Sequence, residues 1–270
     1  MGFDIKNLTD DQLKLDFCAS RVISFDKTLP VDYYDKTYYK TNEDLLDTYL
    51  DVDFCDKDVL SVLGSSDQVL TARFIDARKV DAFDKNILTK YYFYLRLWTI
   101  KYMDRLYPNI YDNKFLKELL ARVNPETKEE KEAYKYYLLH IKKNTNISKL
   151  FYVIEAQPSG KTLYTEASEL RDCLSPELDF YQLDLFKKEE HPKKYDIVII
   201  SNILDWARHD REKLQNAAFN LNRFTNKEGY ILGSNLIQRT KEEREEEQTI
   251  MSEFFTLEEE KSKSYVYKKR

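Results

Sequence analysis

The feature that most constrains the fold is a strand, a glycine loop, a helix and a second strand that follow one another closely. The apolar, β-branched run DVLSVL occupies residues 58–63 and ends at Gly64, and the apolar spacing after it predicts a helix over about 68–76. KVDAFD occupies 79–84 and has the pattern of a second strand, with Asp84 at its end. This order is typical of a βαβ unit, whose two strands lie parallel in one sheet.

Strands and helices continue to alternate in the second half of the chain. DFYQLD, YDIVII and GYILGS predict strands at 179–184, 195–200 and 229–234, and a helix is expected near 211–224. Strands with almost continuously apolar cores are buried on both faces of a sheet. The sequence therefore predicts an α/β fold with a Rossmann-like, doubly wound and mostly parallel sheet.

Several shorter stretches have patterns of their own. Residues 150–156 and 161–166 are expected to be extended, with a turn at 157–160 between them, and ASELRDCL has the pattern of a short helix. The acidic run at 241–248 is most simply the solvated face of a helix. The tail SKSYVYKK alternates in the way of an edge strand.

The chain divides into an N-terminal extension over 1–55 and an α/β domain over 56–270, with a helical insertion at about 86–147 after the second strand. The extension is crowded with tyrosines, namely Tyr33, Tyr34, Tyr38 and Tyr39. Tyrosine combines an apolar ring with a polar tip. We expect these side chains either to pack onto the main domain or to form a lid or a wall of a substrate site.

Composition limits the classes of partner. Lys and Arg number 43 against 48 Asp and Glu, and the net charge of -5 gives no general attraction to nucleic acid or anionic lipid. No apolar run approaches the roughly 18 residues of a membrane span. Cys18, Cys55 and Cys173 are widely spaced, which favours reduced thiols, and the charged first residues lack the apolar core of a signal peptide. We therefore expect a cytoplasmic protein with no integral membrane segment and no nucleic-acid partner.

Polar residues follow the predicted strands at the edge where ligands bind in such sheets. The loop Gly64-Ser65-Ser66-Asp67 opens a helix and lets backbone N–H groups approach a ligand. Asp84, twenty positions after Gly64 (84 − 64 = 20), can accept hydrogen bonds from two ribose hydroxyls. Asp184 could hold an adenine amino group, and Ser201-Asn202 would lie near a reacting centre. Together these features predict a site for a nucleotide-type cofactor.

The loop also discriminates between cofactors. The dinucleotide fingerprint requires three glycines, and Ser66 and Val69 occupy two of their positions. A nicotinamide-dependent dehydrogenase is therefore disfavoured. The Ser-Gly-Lys-Thr at 159–162 lacks the upstream glycine of a phosphate-binding P-loop. S-adenosylmethionine (SAM) carries no phosphate and tolerates this loop better.

Two segments resemble a known family. VLSVLGSSDQVL…KVDAFDKNILTKYYFYLRLWTIK resembles the opening of the betaine-lipid synthase BtaA-like family of SAM-dependent 3-amino-3-carboxypropyl transferases, which have the class I SAM-methyltransferase-like fold. DLFKKEEHPKKYDIVIISNILDW resembles the second signature of that family. The resemblance implies that SAM is the cofactor and that Ser201 and Asn202 lie beside its sulfonium. The residues that match the first signature, or that are expected to contact SAM, are Gly64, Ser65, Ser66, Asp67, Gln68, Asp84, Asn86, Asp184 and Ser201.

The resemblance implies transfer of the aminocarboxypropyl group to a small-molecule or lipid-like acceptor. A SAM-dependent methyltransferase on the same fold and a non-catalytic SAM-binding or interaction module are the alternatives. No His, Cys and carboxylate cluster has the spacing of a metal site. The predicted catalytic residues are Ser201, Asn202, Asp205 and Tyr164. The candidates for a general base are Tyr164, Glu166, Asp205 and His209, of which His209 has the charged surroundings of a surface residue.

Overall fold

The computed structural model describes residues 37–142, 151–152, 161–191, 193–235, 240–261 and 263–270. Tyr33, Tyr34, Cys18 and the turn expected at 157–160 lie outside the described residues. The extension predicted over 1–55 is described from residue 37 onward. Its side chains Leu45 and Phe54 are buried in the core of the main domain.

Strands occur along the whole described part of the chain. They are β1 (Thr37–Tyr38), β2 (Asp58–Val62), β3 (Lys79–Asp84), β4 (Phe151–Tyr152), β5 (Phe180–Gln182), β6 (Tyr195–Ser201), β7 (Thr225–Ser234), β8 (Phe255–Glu260) and β9 (Ser264–Lys269). The helices are α1 (Leu45–Tyr49), α2 (Asp67–Phe74), α3 (Leu88–Met103), α4 (Asn113–Arg122), α5 (Lys128–Lys142), α6 (Arg211–Phe224) and α7 (Lys241–Met251). Short 3₁₀ helices span Ala167–Cys173 and Ile203–Ala207. Within the described ranges, no helix combines the length and apolarity that crossing a membrane requires.

The main sheet has seven strands in the order β5-β3-β2-β6-β7-β9-β8. The first five run parallel, and β9 pairs antiparallel with both β7 and β8. The chain moves outward from β2 through β3 to β5, returns to β6 on the other side of β2, and moves outward again. This topology confirms the predicted Rossmann-like, doubly wound and mostly parallel sheet. Ligands in such sheets bind where the strand order reverses, which here is between β2 and β6.

Both faces of the sheet are covered, as the apolar strands predict. Along β6, Ile197 and Ile199 point into one hydrophobic cluster, while Val198 and Ile200 point into the other. The first cluster packs against α2 to α5, and the second packs against α6 and α7. Since side chains alternate between the faces of a strand, a strand buried on both sides has no polar face.

The helical insertion consists of three helices, whereas the sequence pattern suggested helix throughout 86–144. The first break follows α3, where Asp104 has a left-handed backbone and Pro108 has no N–H to continue a helix. The second break contains Pro125. Asp112 then caps α4 by accepting a hydrogen bond from the N–H of Lys114 at 2.8 Å.

Two predictions outside the parallel strands require correction. The C-terminal tail forms β9, which is an inner strand, because the unpredicted β8 pairs with it and takes the edge. Residues 161–166 form no strand. β4, in the run predicted as a strand over 150–156, pairs with β1 in a separate two-stranded sheet. The short helix ASELRDCL is confirmed as a 3₁₀ helix.

Candidate functional site

One large cleft opens at the carboxyl ends of β2, β3 and β6, where the strand order reverses. The space inside it, counted out to its open mouth, is about 980 Å³. The extension contributes one wall, and the loops after the strands contribute the rest. The residues that line it are Thr37, Tyr38, Lys40, Thr41, Asn42, Glu43, Val62, Gly64, Ser65, Gln68, Phe83, Asp84, Lys85, Asn86, Thr89, Leu183, Asp184, Leu185, Phe186, Ser201, Asn202, Ile203 and Trp206.

The loop between β2 and α2 turns through two residues with left-handed backbone. Gly64 has φ 45°, and Ser66 has φ 72°. This region costs a residue with a Cβ about 1–2 kcal/mol, whereas glycine enters it freely. Ser66 therefore has a left-handed backbone at a position where the dinucleotide fingerprint has glycine. Unlike glycine, it places a side chain there. The turn directs the N–H of Gly64 toward the end of β3.

Asp84 ends β3 and lies in the cleft beside this loop. Its Oδ2 accepts a hydrogen bond from the N–H of Gly64 at 3.1 Å, and its Oδ1 accepts one from the N–H of Asn86 at 2.9 Å. Burial raises the pKa of Asp84, and these two donors oppose that rise. An ionised carboxylate oxygen can accept about two hydrogen bonds, so each oxygen retains capacity for a ligand hydroxyl.

Asp67, in contrast, is fully buried and does not line the cleft. Its Oδ1 pairs with Nη1 of Arg96 at 3.0 Å and accepts hydrogen bonds from the hydroxyls of Tyr107 at 3.0 Å and Tyr164 at 2.7 Å. Burial on its own would raise the pKa of Asp67, but the charge of Arg96 and the surrounding donors outweigh it, and the pKa lies below its ordinary value. The contact with SAM that the sequence predicts for Asp67 is replaced by an internal ion pair.

The Asp67 network fixes the glycine loop. Oδ2 of Asp67 accepts hydrogen bonds from the hydroxyl of Ser65 at 2.9 Å and from the N–H of Thr41 at 2.8 Å. Nη1 of Arg96 also donates to the carbonyl of Ser65 at 2.9 Å. One buried carboxylate thus joins the extension, the loop and the helical insertion. The sequence pattern does not indicate this role for Arg96.

None of the four proposed bases lines the cleft. Tyr164 is buried and donates to Asp67, and burial together with that carboxylate raises its pKa well above the ordinary value. Glu166 is exposed and caps the 3₁₀ helix Ala167–Cys173, and His209 is exposed beside Glu243. Asp205 is buried behind the lining. In the described ranges, no three His, Cys, Asp or Glu side chains form a group that could hold a metal ion.

Ser201 and Asn202 lie in the cleft at the end of β6, where the sequence placed them. Ser201 has a left-handed backbone with φ 55°, and the pairing of β6 with β7 shifts register next to it. Its hydroxyl donates to Oε1 of Glu43 and lies 3.2 Å from Oδ1 of Asn202. A strained, non-glycine backbone of this kind is concentrated at functional sites.

Glu43 is a cleft residue that sequence reasoning missed, because nothing in the pattern of the extension singles it out. It is 5% exposed, and its Oε2 accepts a hydrogen bond from Nε2 of Gln68 at 3.3 Å. Burial raises the pKa of Glu43, the hydroxyl of Ser201 and the amide of Gln68 lower it, and the neighbouring Asp205 adds to the rise.

The side of the cleft near β5 is mainly apolar. Leu183, Leu185 and Phe186 line it together with Asp184, which lies two residues after the strand. Oδ1 of Asp184 accepts a hydrogen bond from the N–H of Phe186 at 3.1 Å. Trp206 also lines the cleft and is 45% exposed.

Residues of the extension line one side of the cleft, and their role as a lid or substrate wall stays a prediction. Tyr38 and Lys40 line the cleft. Tyr39 packs against the main domain instead: its ring lies 5.5 Å from that of Tyr107, and its hydroxyl donates to the carbonyl of Pro108 at 3.0 Å. Tyr38 thus lines the cleft, whereas its neighbour Tyr39 packs onto the main domain.

No protein-family model matches the chain, and no curated protein matches it. Solved structures are similar at a low level. N-methyltransferase NodS from Bradyrhizobium japonicum WM9 in complex with S-adenosyl-L-homocysteine is 8% identical with a TM-score of 0.38, over 80% of this chain and 79% of that chain. A methyltransferase from Pyrococcus furiosus is 7% identical with a TM-score of 0.38, over 96% of this chain and 98% of that chain. Similarity this weak decides neither activity nor family, and the resemblance to betaine-lipid synthases stays a prediction.

Proposed function

We propose that the protein is a SAM-dependent transferase that binds its cofactor in the cleft at the carboxyl ends of β2, β3 and β6. The observation that carries this proposal is the contact between the glycine loop and Asp84. In nucleotide-binding sheets of this topology, the loop after the first strand approaches the ligand, and an acid at the end of the second strand accepts hydrogen bonds from the ribose. Gly64 and Asp84 have this arrangement.

The lining fits the nucleoside part of SAM. Asp84 is held by two backbone N–H groups and retains acceptor capacity on both oxygens, which suits two ribose hydroxyls. The apolar wall around Leu185 and Phe186 suits a flat adenine ring, and Asp184 beside it could accept from the adenine amino group. The cleft is therefore apolar at the end near Leu185 and Phe186 and polar at the end near Ser201.

A ligand without phosphates fits the glycine loop better than a dinucleotide. The Cβ of Ser66 and the side chain of Val69 occupy the positions where a pyrophosphate fingerprint has glycine. Ser66 is also fully buried, and Arg96 holds the loop from behind through the carbonyl of Ser65. These features favour SAM over a nicotinamide dinucleotide.

SAM supplies an electrophilic sulfonium, and the protein has to bind it, orient it and exclude water from it. Ser201 and Asn202 are the polar groups at the end of β6 that would lie beside the reacting carbon. Trp206 and Tyr38 at the mouth would contact the acceptor, and their rings suit a small-molecule or lipid-like acceptor with an apolar part. No base is assigned, since Tyr164, Glu166 and His209 lie away from the cleft.

The transferred group is proposed to be 3-amino-3-carboxypropyl, on the resemblance to the betaine-lipid synthases. Methyl transfer uses the same nucleoside contacts and differs in which carbon on the sulfonium faces the acceptor. Mass spectrometry of products formed from SAM and a panel of hydroxyl and amine acceptors separates the two. An increase by an aminocarboxypropyl group with release of methylthioadenosine supports the proposal, and an increase by a methyl group with release of S-adenosylhomocysteine identifies a methyltransferase.

Isothermal titration calorimetry tests the cofactor. We expect S-adenosylhomocysteine to bind the wild type at one site per chain and NAD not to bind. Asp84→Asn should weaken binding about 10–100-fold, because hydrogen bonds to a charged acceptor contribute about 1.5–3 kcal/mol. Glu166→Gln, which changes an exposed acid away from the cleft, is the matched control and should bind as the wild type does. Binding by a protein that turns over no acceptor would favour the SAM-binding module instead.

A further inference from the structure

We propose that Glu43, Gln68 and Ser201 form a subsite for a primary ammonium group, the α-ammonium at the amino-acid end of the cofactor. This inference rests on the proposed function and concerns the half of the cleft that Asp84 does not reach. The three residues come from the extension, from α2 and from the end of β6, and all three line the cleft.

Glu43 contacts both of the other side chains. Nε2 of Gln68 donates to Oε2 of Glu43 at 3.3 Å, and the hydroxyl of Ser201 donates to Oε1 of the same carboxylate. The residues are 5%, 3% and 8% exposed in the order Glu43, Gln68 and Ser201. The carboxylate is thus held by neutral donors in a nearly dry part of the cleft.

Glu43 lacks a positive partner within the described part of the chain, since its neighbours there are neutral donors and the acid Asp205. A buried carboxylate without a cation is costly, because removing a charge from water is repaid only by pairing and hydrogen bonding. Burial and Asp205 both raise the pKa of Glu43, which is the response of a carboxyl that lacks a counter-ion. A cationic ligand would supply the missing charge.

A second polar atom points to the same ligand. Oε1 of Gln68 is buried and has no hydrogen-bond partner, and it lies 3.8 Å from the place where a Cβ on Gly64 would be. The atom therefore lies beside the glycine loop, on a residue that lines the cleft. An ammonium has three donors and no acceptor. Oε1 of Gln68 and the carboxylate of Glu43 are acceptors that such a group can bridge.

The position along the cleft agrees with the amino-acid end of SAM. Strands β3, β2 and β6 are consecutive in the sheet. Asp84 lies at the end of β3, and Ser201 lies at the end of β6. A ligand whose ribose is held by Asp84 and which crosses the end of β2 at Gly64 reaches Glu43 on the far side.

The test is a comparison of two ligands by isothermal titration calorimetry. S-adenosylhomocysteine carries the α-ammonium, and its desamino analogue has hydrogen in place of the α-amino group. We expect the wild type to prefer S-adenosylhomocysteine by about 10-fold or more, and Glu43→Gln to lose most of that preference. Gln68→Leu removes the unpartnered acceptor and should reduce the preference as well. Asp84→Asn is the matched control, which should weaken both ligands by the same factor and keep the preference.

The outcomes separate this inference from the proposed function. If the wild type binds neither ligand, the proposed function fails, and the subsite falls with it. If the wild type binds both ligands equally, or if Glu43→Gln and Gln68→Leu keep the full preference, SAM binding stands and the ammonium subsite is wrong. The same result is expected if Glu43 binds an ammonium group of the acceptor instead, because the preference between the two cofactor analogues would then not depend on Glu43. Thermal melting of each variant shows that the binding data refer to folded protein, and Gln68→Leu provides the test if Glu43→Gln does not fold.

Discussion

At the scale of single residues, burial and long-range partners decide what each carboxylate does. Asp67 and Asp84 look alike in sequence, as acids in or after a strand-end loop. Asp84 lies in the cleft, whereas Asp67 pairs with Arg96 and accepts from Tyr164, which is 97 positions away in the chain. Local pattern carries no information about a partner at that separation. Asp84 could therefore be placed from the sequence, and the role of Asp67 could not.

Arg96→Met should destabilise the protein strongly. It removes the cation but leaves Asp67 buried among neutral donors, and breaking a buried pair in this way costs about 3–5 kcal/mol. Arg171→Met is the control, because its pair with Asp104 has side chains 58% and 64% exposed. An exposed pair contributes about 0–1 kcal/mol. Chemical denaturation measures both, and equal losses would contradict the central place of the Asp67–Arg96 pair.

Glu43 should make the stability of the ligand-free protein depend on pH. Its pKa is raised in the folded state, so its contribution is fully present below the unfolded pKa and is lost as pH rises through the folded pKa. Glu43→Gln has no such group, and its free energy of unfolding should therefore rise relative to that of the wild type with increasing pH. Urea denaturation from about pH 4 to about pH 8 measures this difference. A difference that is constant or falls with pH would contradict the raised pKa.

At the scale of elements, the parallel strands were predictable and the C-terminal hairpin was not. β2, α2 and β3 follow one another closely, and their apolar patterns need no distant information. β8 has the sequence FTLEEE, in which only Phe255 is buried and the later positions alternate between exposed and half-buried. Three consecutive glutamates therefore give it no apolar strand pattern. β9 has only a faint alternation, and its inner position depends on the presence of β8 on its other side.

Gly229→Ala should weaken the sheet at the β6–β7 pair. A Cβ at Gly229 would lie 2.8 Å from the carbonyl oxygen of Asp196 and 2.8 Å from Cγ2 of Thr225, which is too close for either. The backbone oxygen cannot move without disturbing β6, so we expect a loss of about 1–3 kcal/mol. Lys227→Ala in the same strand, at an exposed position, should change stability by less than about 0.5 kcal/mol. Thermal melting compares the two, and equal stability would contradict the close approach.

At the scale of the whole molecule, the site has two parts. The sequence predicts the edge of the sheet at which the site lies, but it does not predict the wall that the extension contributes. The extension reaches the glycine loop through the N–H of Thr41 on Asp67 and reaches the end of β6 through Glu43. Both contacts join positions far apart in the chain. The fold class and the residues at the strand ends can be predicted from the apolar pattern of the sequence. The wall of the cleft that the extension forms depends on tertiary contacts, which the pattern does not contain.

Cofactor binding should therefore order two separate segments together. We expect S-adenosylhomocysteine to slow amide hydrogen exchange in residues 37–43 and in the loop 64–67, because a ligand in the cleft contacts both and stabilises the folded form. α7 lies away from the cleft and should exchange at an unchanged rate. Protection confined to the loop, with none in 37–43, would show that the extension is not part of the site.

A crystal structure with S-adenosylhomocysteine bound tests the central claim most directly. We expect the ribose hydroxyls to lie within hydrogen-bond distance of the Asp84 carboxylate and the ligand to cross Gly64 toward the end of β6. A ligand bound elsewhere, or a ribose that does not touch Asp84, would contradict it.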